Sequence, residues 1–370
     1  TERLVGSEMC IRDSYFADKG FAETPSLKRS NAFEIVGREC RAVRGGVGLL
    51  DITGFSRFEV SGPNAEAWLD RIMASKLPKP GKAGLAPMLS EEGRLKGDLT
   101  IFNWGDGTWW VMGSYYLRAW HMRWFNDYKD DGVVVKDLGE DWAGFSLSGP
   151  RSREVIERLT SDSVGGLPFM GCGDFDNGLI RSKVGRLSVV GELGYEIHCR
   201  MGDHIALRRL LLEAGEESGI IEYGFNAMLS LRLEKSFGIW SSEFTQGYTP
   251  GMTGMDRWIA WDKGEFNGRK AALAERDGNG PAQKVVTLAV DADDADASGF
   301  EPVWHDDNLV GFVTSGGYGH TLDQSLAMAM VNSDLATEGT GLKVHIVGVE
   351  RNATVIAASP HDPEGKAMRG

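Results

Sequence analysis

Apolar and polar positions fall into two closely matching blocks over the first part of the chain. In the first block the strand-like FSRFEV ends at Ser61-Gly62-Pro63 and gives way to NAEAWLDRI, whose Ala65, Trp68, Leu69 and Ile72 recur at helical spacing. In the second, AGFSLS ends at Ser148-Gly149-Pro150 and leads into RSREVIERL, where Val155, Ile156 and Leu159 form the apolar stripe. Proline suits the first turn of a helix, because its missing N–H would have no partner there in any case. A hairpin then follows each helix: TIFNWGDGTWWVMG turns at Gly105-Asp106-Gly107, and LIRSKVGRLSVV turns near Gly185. Strand, helix and antiparallel hairpin, occurring twice, predict an internal duplication into two related α+β lobes packed together. The S-G-P string is short enough to recur by coincidence; the matching elements on either side of it carry the reading.

Beyond Arg269 the pattern changes. AALAERDGNGPAQK is polar and bears Gly and Pro, as a linker does. Short strands follow (VVTLAV, LVGFVTS, SLAMAMV, LKVHIVG, RNATVIAA), separated by turn residues and without a long helical stripe, which predicts a small β-barrel. The expected division is a duplicated domain over residues 31–275 and a barrel over residues 283–362. Residues 1–30 are set apart as a scar or linker. The chain opens on Thr1, its first methionine is Met9, and residues 1–14 show neither strand alternation nor a helical stripe. That start reads as a scar or as a cut within a longer gene, with an upstream domain missing; a frayed native terminus is the alternative.

Composition narrows the function. Lys and Arg number 40 against 53 Asp and Glu, a formal charge of −13, which repels phosphate backbones and argues against a nucleic-acid partner. Apolar residues at 42% and charged residues at 25% describe an ordinary globular protein and exclude wholesale disorder. No apolar run approaches the ~20 residues that span a bilayer, so no membrane partner is expected. Four scattered cysteines without a C-x-x-C pair, and no secretory signal in the first thirty residues, point to a reducing, cytoplasmic setting. The seven histidines show no H-x-x-x-H spacing, so no metal is expected. P-loop and dinucleotide fingerprints are both missing. Gly144-Phe145-Ser146-Leu147-Ser148-Gly149 fails the nucleophile-elbow pattern and reads as the strand before the second helix.

Three places hold polar residues that structure alone does not ask for. Asp98, in GRLKGDLTIF, stands at the mouth of an apolar strand; a turn or strand-start aspartate is the plain alternative. Glu196 lies in YEIHC, where period-2 alternation puts Tyr195 and Ile197 on one face and Glu196 on the other, facing either solvent or a specific partner. Arg232 sits between two leucines late in the helix NAMLSLRLEK, with Glu234 and Lys235 as its solvated end.

At these places the chain resembles the folate-binding aminomethyltransferase family of the glycine-cleavage T-protein, and within it the C-terminal part of dimethylglycine and sarcosine dehydrogenases. The resemblance runs from about Asn31 to Met368 and rests on VGRECRAVRGGVGLLDITGFSRFEVSGP, LAPMLSEEGRLKGDLT, VGELGYEIHC, LRLEKSFGIW, TPGMTGMDRWIAWDKGEFNGRKAAL and TSGGYGHTLDQSLAMAMV, in that order. It implies two α+β lobes and a barrel around a central folate cavity. Asp98 is implied to lie beside the reacting nitrogens of tetrahydrofolate, and Glu196 to hydrogen-bond the pterin. Tyr195, Thr100, Ser114, Tyr115, Arg232 and Trp240 are the further cofactor-binding residues expected, Trp240 as an aromatic wall or an ordinary core tryptophan. FAD is expected only on a missing upstream domain or a partner. Arg41, Arg44, Arg118 and Arg123 are named for a basic entrance to an anionic folate, with solvated surface arginines the plainer reading.

Three positions depart from the T-protein pattern. Val189 and Leu85 stand where tyrosines are expected, and Met228 where the G-A-R-D segment has arginine, leaving only Arg232 nearby. They argue against glycine cleavage itself, whose donor is a protein-bound aminomethyl-lipoyl group. The implied function is a tetrahydrofolate-dependent one-carbon transferase module that takes carbon from a small methylated amine oxidised on a flavin domain and yields 5,10-methylenetetrahydrofolate. Alternatives are a stand-alone tetrahydrofolate-dependent demethylase or aminomethyltransferase, and a non-catalytic folate-binding scaffold. Against the scaffold, EKSFGIWSSEFTQGYTPG lacks the cysteine of its K-G-C-x-x-G-Q-E motif.

Overall fold

The computed structural model describes residues 14–18, 20–160 and 164–370. Helix α1 (Phe33–Gly45) leads into β1 (Gly48–Asp51), an element of the second lobe. The first lobe is β2 (Ser56–Ser61), α2 (Ala65–Ile72), β3 (Lys82–Leu89), β4 (Leu95–Asn103), β5 (Trp109–Gly113), α3 (Arg118–Tyr128) and β6 (Val134–Asp137). The second follows with β7 (Trp142–Ser148), α4 (Ser152–Leu159), β8 (Cys172–Asn177), β9 (Ile180–Gly185), β10 (Gly194–Arg200), α5 (His204–Gly215) and β11 (Ile221–Glu222), and then α6 (Phe225–Leu233). After α7 (Arg269–Asp277) come β12 (Gln283–Val290), β13 (Pro302–His305), β14 (Asn308–Gly319), β15 (Gln324–Asn332), β16 (Gly341–Ile346) and β17 (Val349–Ile356), which close into a six-stranded barrel.

The duplication is visible in the topology. One sheet runs β3-β4-β5-β2-β6 and the other β8-β9-β10-β7-β1-β11, so strand, helix and three following strands take the same places in both. Both S-G-P turns hinge on a glycine with positive φ, +108° at Gly62 and +128° at Gly149. A Cβ on Gly149 would lie 2.4 Å from the carbonyl oxygen of Gly46 and 2.6 Å from that of Val43. Gly149→Ala therefore meets both a disfavoured backbone and two immovable carbonyls. The expected loss is roughly 2–4 kcal/mol of unfolding free energy by chemical denaturation; an unchanged midpoint would show that the turn tolerates a side chain.

Each lobe packs its helices on one sheet face. Trp68, Leu69 and Ile72 of α2 and Phe125 of α3 meet Phe58, Val60, Leu99 and Ile101. Val155 and Ile156 of α4 and Leu207 and Leu211 of α5 meet Phe145, Leu147, Tyr195 and Ile197. None of the described helices is long and apolar enough to cross a membrane.

Three local expectations are corrected. The second hairpin turns at Gly178 (φ +62°), between β8 and β9, and residues 186–193 form a loop instead of a strand arm. Gly185 is small for a different reason: a Cβ there would sit 2.5 Å from the ring of Phe102 in the other lobe. AALAERD belongs to helix α7 and not to a linker, because alanine, leucine, glutamate and arginine are strong helix formers and Ala272 is buried. The described residues among 15–30 do not trail as a linker. Tyr15 is 1% exposed in a cluster with Val36, Cys40 and Tyr223, and the buried Glu39 carboxylate accepts the N–H groups of Phe16 and Gly224. Arg29 donates to Asp296 on the way to the barrel. Residues 1–13 lie outside the described residues.

Candidate functional site

Strand alternation decides which side chains can meet between the lobes. On β4, Leu99 and Ile101 point into the first lobe's core, so Asp98, Thr100 and Phe102 point the other way. On β10, Tyr195, Ile197 and Cys199 belong to the second lobe's core, so Glu196 and His198 point away from it. The two outward faces meet. Phe102 lies 6.2 Å from His198, ring centroid to centroid, and Trp110 5.7 Å, with Trp104, Trp142 and Met112 in the same apolar cluster. From this aromatic plug, two steps along β10 lead to Glu196, and two and four steps along β4 lead to Thr100 and Asp98. Two carboxylates thus line the inner faces of two sheets packed against each other.

Their ionisation reflects that enclosure. Burial pushes the Asp98 carboxyl up to about 7. Burial also pushes Glu196 up to about 7, with the nearby positive charge of Arg57 opposing it. The Glu196 side chain nevertheless keeps 16% of its surface accessible, and Asp98 is half-buried. In the space between the two sheets, desolvation controls the proton of each carboxyl.

The surrounding walls are polar. Register sets Ser146 opposite Glu196, and its hydroxyl lies 3.1 Å from that of Ser148. Register pairs Thr100 with Met112 and with Leu85; continuing the β4–β5 pairing by two residues sets the half-buried Ser114 across from Asp98. Tyr115 follows at the rim, 60% exposed. Trp240 is half-buried against a cluster holding Leu89 and Leu95, near the start of β4.

Two expected binding residues are turned elsewhere. Tyr195 is fully buried on the core side of β10, and its hydroxyl accepts from Arg153 at 3.4 Å. Arg232 is an internal strut: its guanidinium donates to Glu243 and to the Phe237 carbonyl, both at 3.0 Å, and Glu243 also accepts from Thr314 of the barrel. Glu234 and Lys235 are not a solvated helix end, being 0% and 2% exposed. Glu234 pairs with Arg44 at 2.8 Å, and Lys235 donates to the carbonyls of His361 and Asp362 in the C-terminal tail. Arg44, also paired with Glu192, is thereby unavailable as an entrance, as is Arg118, paired with Asp137 and Glu140. Met228 and Val189, at the departing positions, both pack in the Tyr15 cluster.

Two residues near Glu196 escape the sequence pattern. Arg57 is fully buried, its guanidinium donating to the carbonyls of Ile52, Thr53 and Phe55 at 2.8–3.0 Å and to Nδ1 of His198 at 3.4 Å. In FSRFEV it occupies what reads as the solvent face. His198 shares the parity of Glu196 in YEIHC, a signal that was present. A separate cavity of about 270 Å³, lined by Arg29, Phe33, Ser230 and Tyr318, lies between the N-terminal segment, α1, α6 and the barrel; Arg29 is already bound by Asp296 there.

Comparison with known proteins agrees with this architecture. The GCVT N-terminal domain family matches residues 9–263, and the glycine cleavage T-protein C-terminal barrel domain matches residues 283–362. Mitochondrial dimethylglycine dehydrogenase of Mus musculus is 31% identical over 338 residues, which are 90% of this chain and 39% of that protein. The chain thus spans about two fifths of that relative's length. The aminomethyltransferase of Geobacillus sp. (strain WCH70) is 27% identical over 88% of this chain and 90% of its own. The crystal structure of glycine cleavage system aminomethyltransferase T from Bartonella henselae shares the fold, with a TM-score of 0.83 at 21% identity over 97% of this chain and 98% of that one.

Proposed function

We propose, from the premise that the chain belongs to the glycine cleavage T-protein family, that it is a tetrahydrofolate-dependent one-carbon transferase module. It would take methylene-level carbon from a small N-methylated amine oxidised on a flavin domain outside this chain, giving 5,10-methylenetetrahydrofolate. The observation that supports the reading is a pair of carboxylates, Asp98 and Glu196, on the non-core faces of β4 and β10, each pushed up to about 7 by burial.

The donor set fits the ligand. A pterin's amino-pyrimidinone edge offers adjacent N–H donors, which a carboxylate accepts as a charge-assisted pair, and Glu196 would hold that edge. Thr100, Ser114 and the Ser146/Ser148 hydroxyls would supply further hydrogen bonds from the walls. Tetrahydrofolate, when bound, supplies amine nitrogens that take up the one-carbon unit. Asp98, poised near neutrality by burial, would orient such an amine, stabilise positive charge developing beside it and accept its proton. The plug of Phe102, Trp104 and Trp110 would keep water from that end of the space between the two sheets.

The second reading, a stand-alone aminomethyltransferase, draws on the Geobacillus relative, which the chain matches over nearly its whole length. Met228 and Val189 weigh against it, since Met228 is a core residue here and Val189 packs against the same cluster. Titration of the chain with tetrahydrofolate, followed by quenching of tryptophan emission, is expected to show saturable binding, because Trp104 and Trp110 belong to the aromatic cluster beside His198. Absence of binding at high micromolar ligand would sink the proposal.

A further inference from the structure

Beside Glu196, two residues along β10, stands one more arranged group, His198. Arg57 has no lone pair to offer, so the Nδ1 atom that its Nε–H faces at 3.4 Å must be the acceptor nitrogen of His198. The ring proton therefore sits on Nε2. That atom is buried without a hydrogen-bond partner among the described residues, and Oε2 of Glu196 lies 3.7 Å from it. Gly144, opposite His198 in the sheet register, is built around the same contact. A Cβ there would lie 2.6 Å from both Nη2 of Arg57 and Nδ1 of His198.

We propose that His198 is a positioning residue: Arg57 holds it as the Nε2–H tautomer, and it presents that N–H to Glu196, orienting the side chain and favouring its carboxylate form. The inference deepens the folate reading and rests on it for its purpose, though not for its test.

The other groups around the ring leave this role to His198. Lys183 is opposite it on β9, but its ammonium lies over Trp104 at 4.4 Å and pairs with Asp174 at 3.0 Å. Gly144 on β7 brings no charge, and the neighbouring rings of Phe102 and Trp110 are uncharged. Asp51 and Cys199 act on Arg57 from a distance. Burial, and then the Arg57 charge, hold His198 well below the usual imidazole range, so it stays a neutral donor across the range in which Glu196 titrates.

The test is carbon-13 carboxyl NMR on the full chain labelled at glutamate, without ligand, with the Glu196 resonance assigned by its loss in E196Q. Wild-type Glu196 is expected to titrate near 7. H198F, which keeps an aromatic ring and removes the donor, should raise the midpoint by about one pH unit, a tenfold change in proton affinity. H198Q, which keeps an N–H in a similar place, should restore it to within a few tenths of a unit. Equal midpoints in wild type and H198F would overturn the proposal, as would equal shifts in H198F and H198Q, which would indicate packing alone. Nitrogen-15 shifts of His198 in the unmodified chain decide the matter even if H198F does not fold: an Nδ1–H tautomer or an imidazolium overturns it. Tetrahydrofolate titration of wild type reports separately. A shifted midpoint without folate binding removes the folate reading and leaves the His198–Glu196 link standing.

Discussion

Asp98→Asn is expected to lower tetrahydrofolate-dependent one-carbon transfer by roughly 10²–10⁴-fold while leaving tetrahydrofolate affinity within a few-fold of wild type. The side chain keeps its size and its place on β4 opposite Pro87, so folding is retained. What is lost is a group that changes protonation near neutrality. An asparagine neither accepts a proton nor opposes a growing positive charge with a full negative one. Stability offers an independent readout. The Asp98 carboxyl is pushed up to about 7 by burial, above its unfolded value of 3.8. The folded chain therefore binds the proton more tightly than the unfolded chain between those values, and stability is lost as pH rises through the window. Asp98→Asn removes that loss, so the variant should melt above wild type at about pH 8 and coincide with it at about pH 4. A variant that keeps wild-type turnover, or melts below wild type at the higher pH, would remove Asp98 from the proposed role.

Glu196→Gln should act on binding. Hydrogen bonds to an ionised acceptor are worth ~1.5–3 kcal/mol, so tetrahydrofolate affinity is expected to fall about 10- to 100-fold. The amide turns one acceptor into a donor that faces the pterin's own N–H groups. The pH dependence gives the sign. Wild-type affinity should rise as pH passes upward through about 7, where Glu196 becomes a carboxylate, and that rise should be absent in the glutamine variant. Calorimetric titration over this range checks both features. A Glu196→Gln chain with wild-type affinity and the same pH inflection would show that another group holds the ligand.

Much of this arrangement was legible along the chain because it rests on local rules. The S-G-P turns announced the duplication, since a positive-φ glycine and an N-terminal proline leave a mark at fixed spacing. The barrel showed as evenly spaced short strands. Glu196 stood out because a carboxylate in YEIHC breaks an apolar strand, and the same alternation turns Tyr195 into the core. Asp98 was less legible: a single aspartate at a strand mouth matches a turn, and family resemblance, not pattern, raised it.

The rest depended on which surfaces meet. Arg57 looks like a solvent-facing residue of a half-buried strand until the second sheet covers it. Glu234 and Lys235 look like a helix end until Arg44 and the C-terminal tail close over them. Arg232 had the right isolation for a ligand contact but is paired inside the protein with Glu243.

By itself, then, the sequence determined the duplicated lobes, the barrel and the face of β10 on which Glu196 stands, because periodicity and turn chemistry act within a few residues. Only the tertiary structure decided that the outward faces of β4 and β10 meet, that Asp98 and Glu196 are each desolvated, and that Arg57 and His198 stand near Glu196. Those contacts join residues from separate strands and lobes, and burial, the cause of the raised carboxyl pKa values, is a property of the packed assembly and of no single segment.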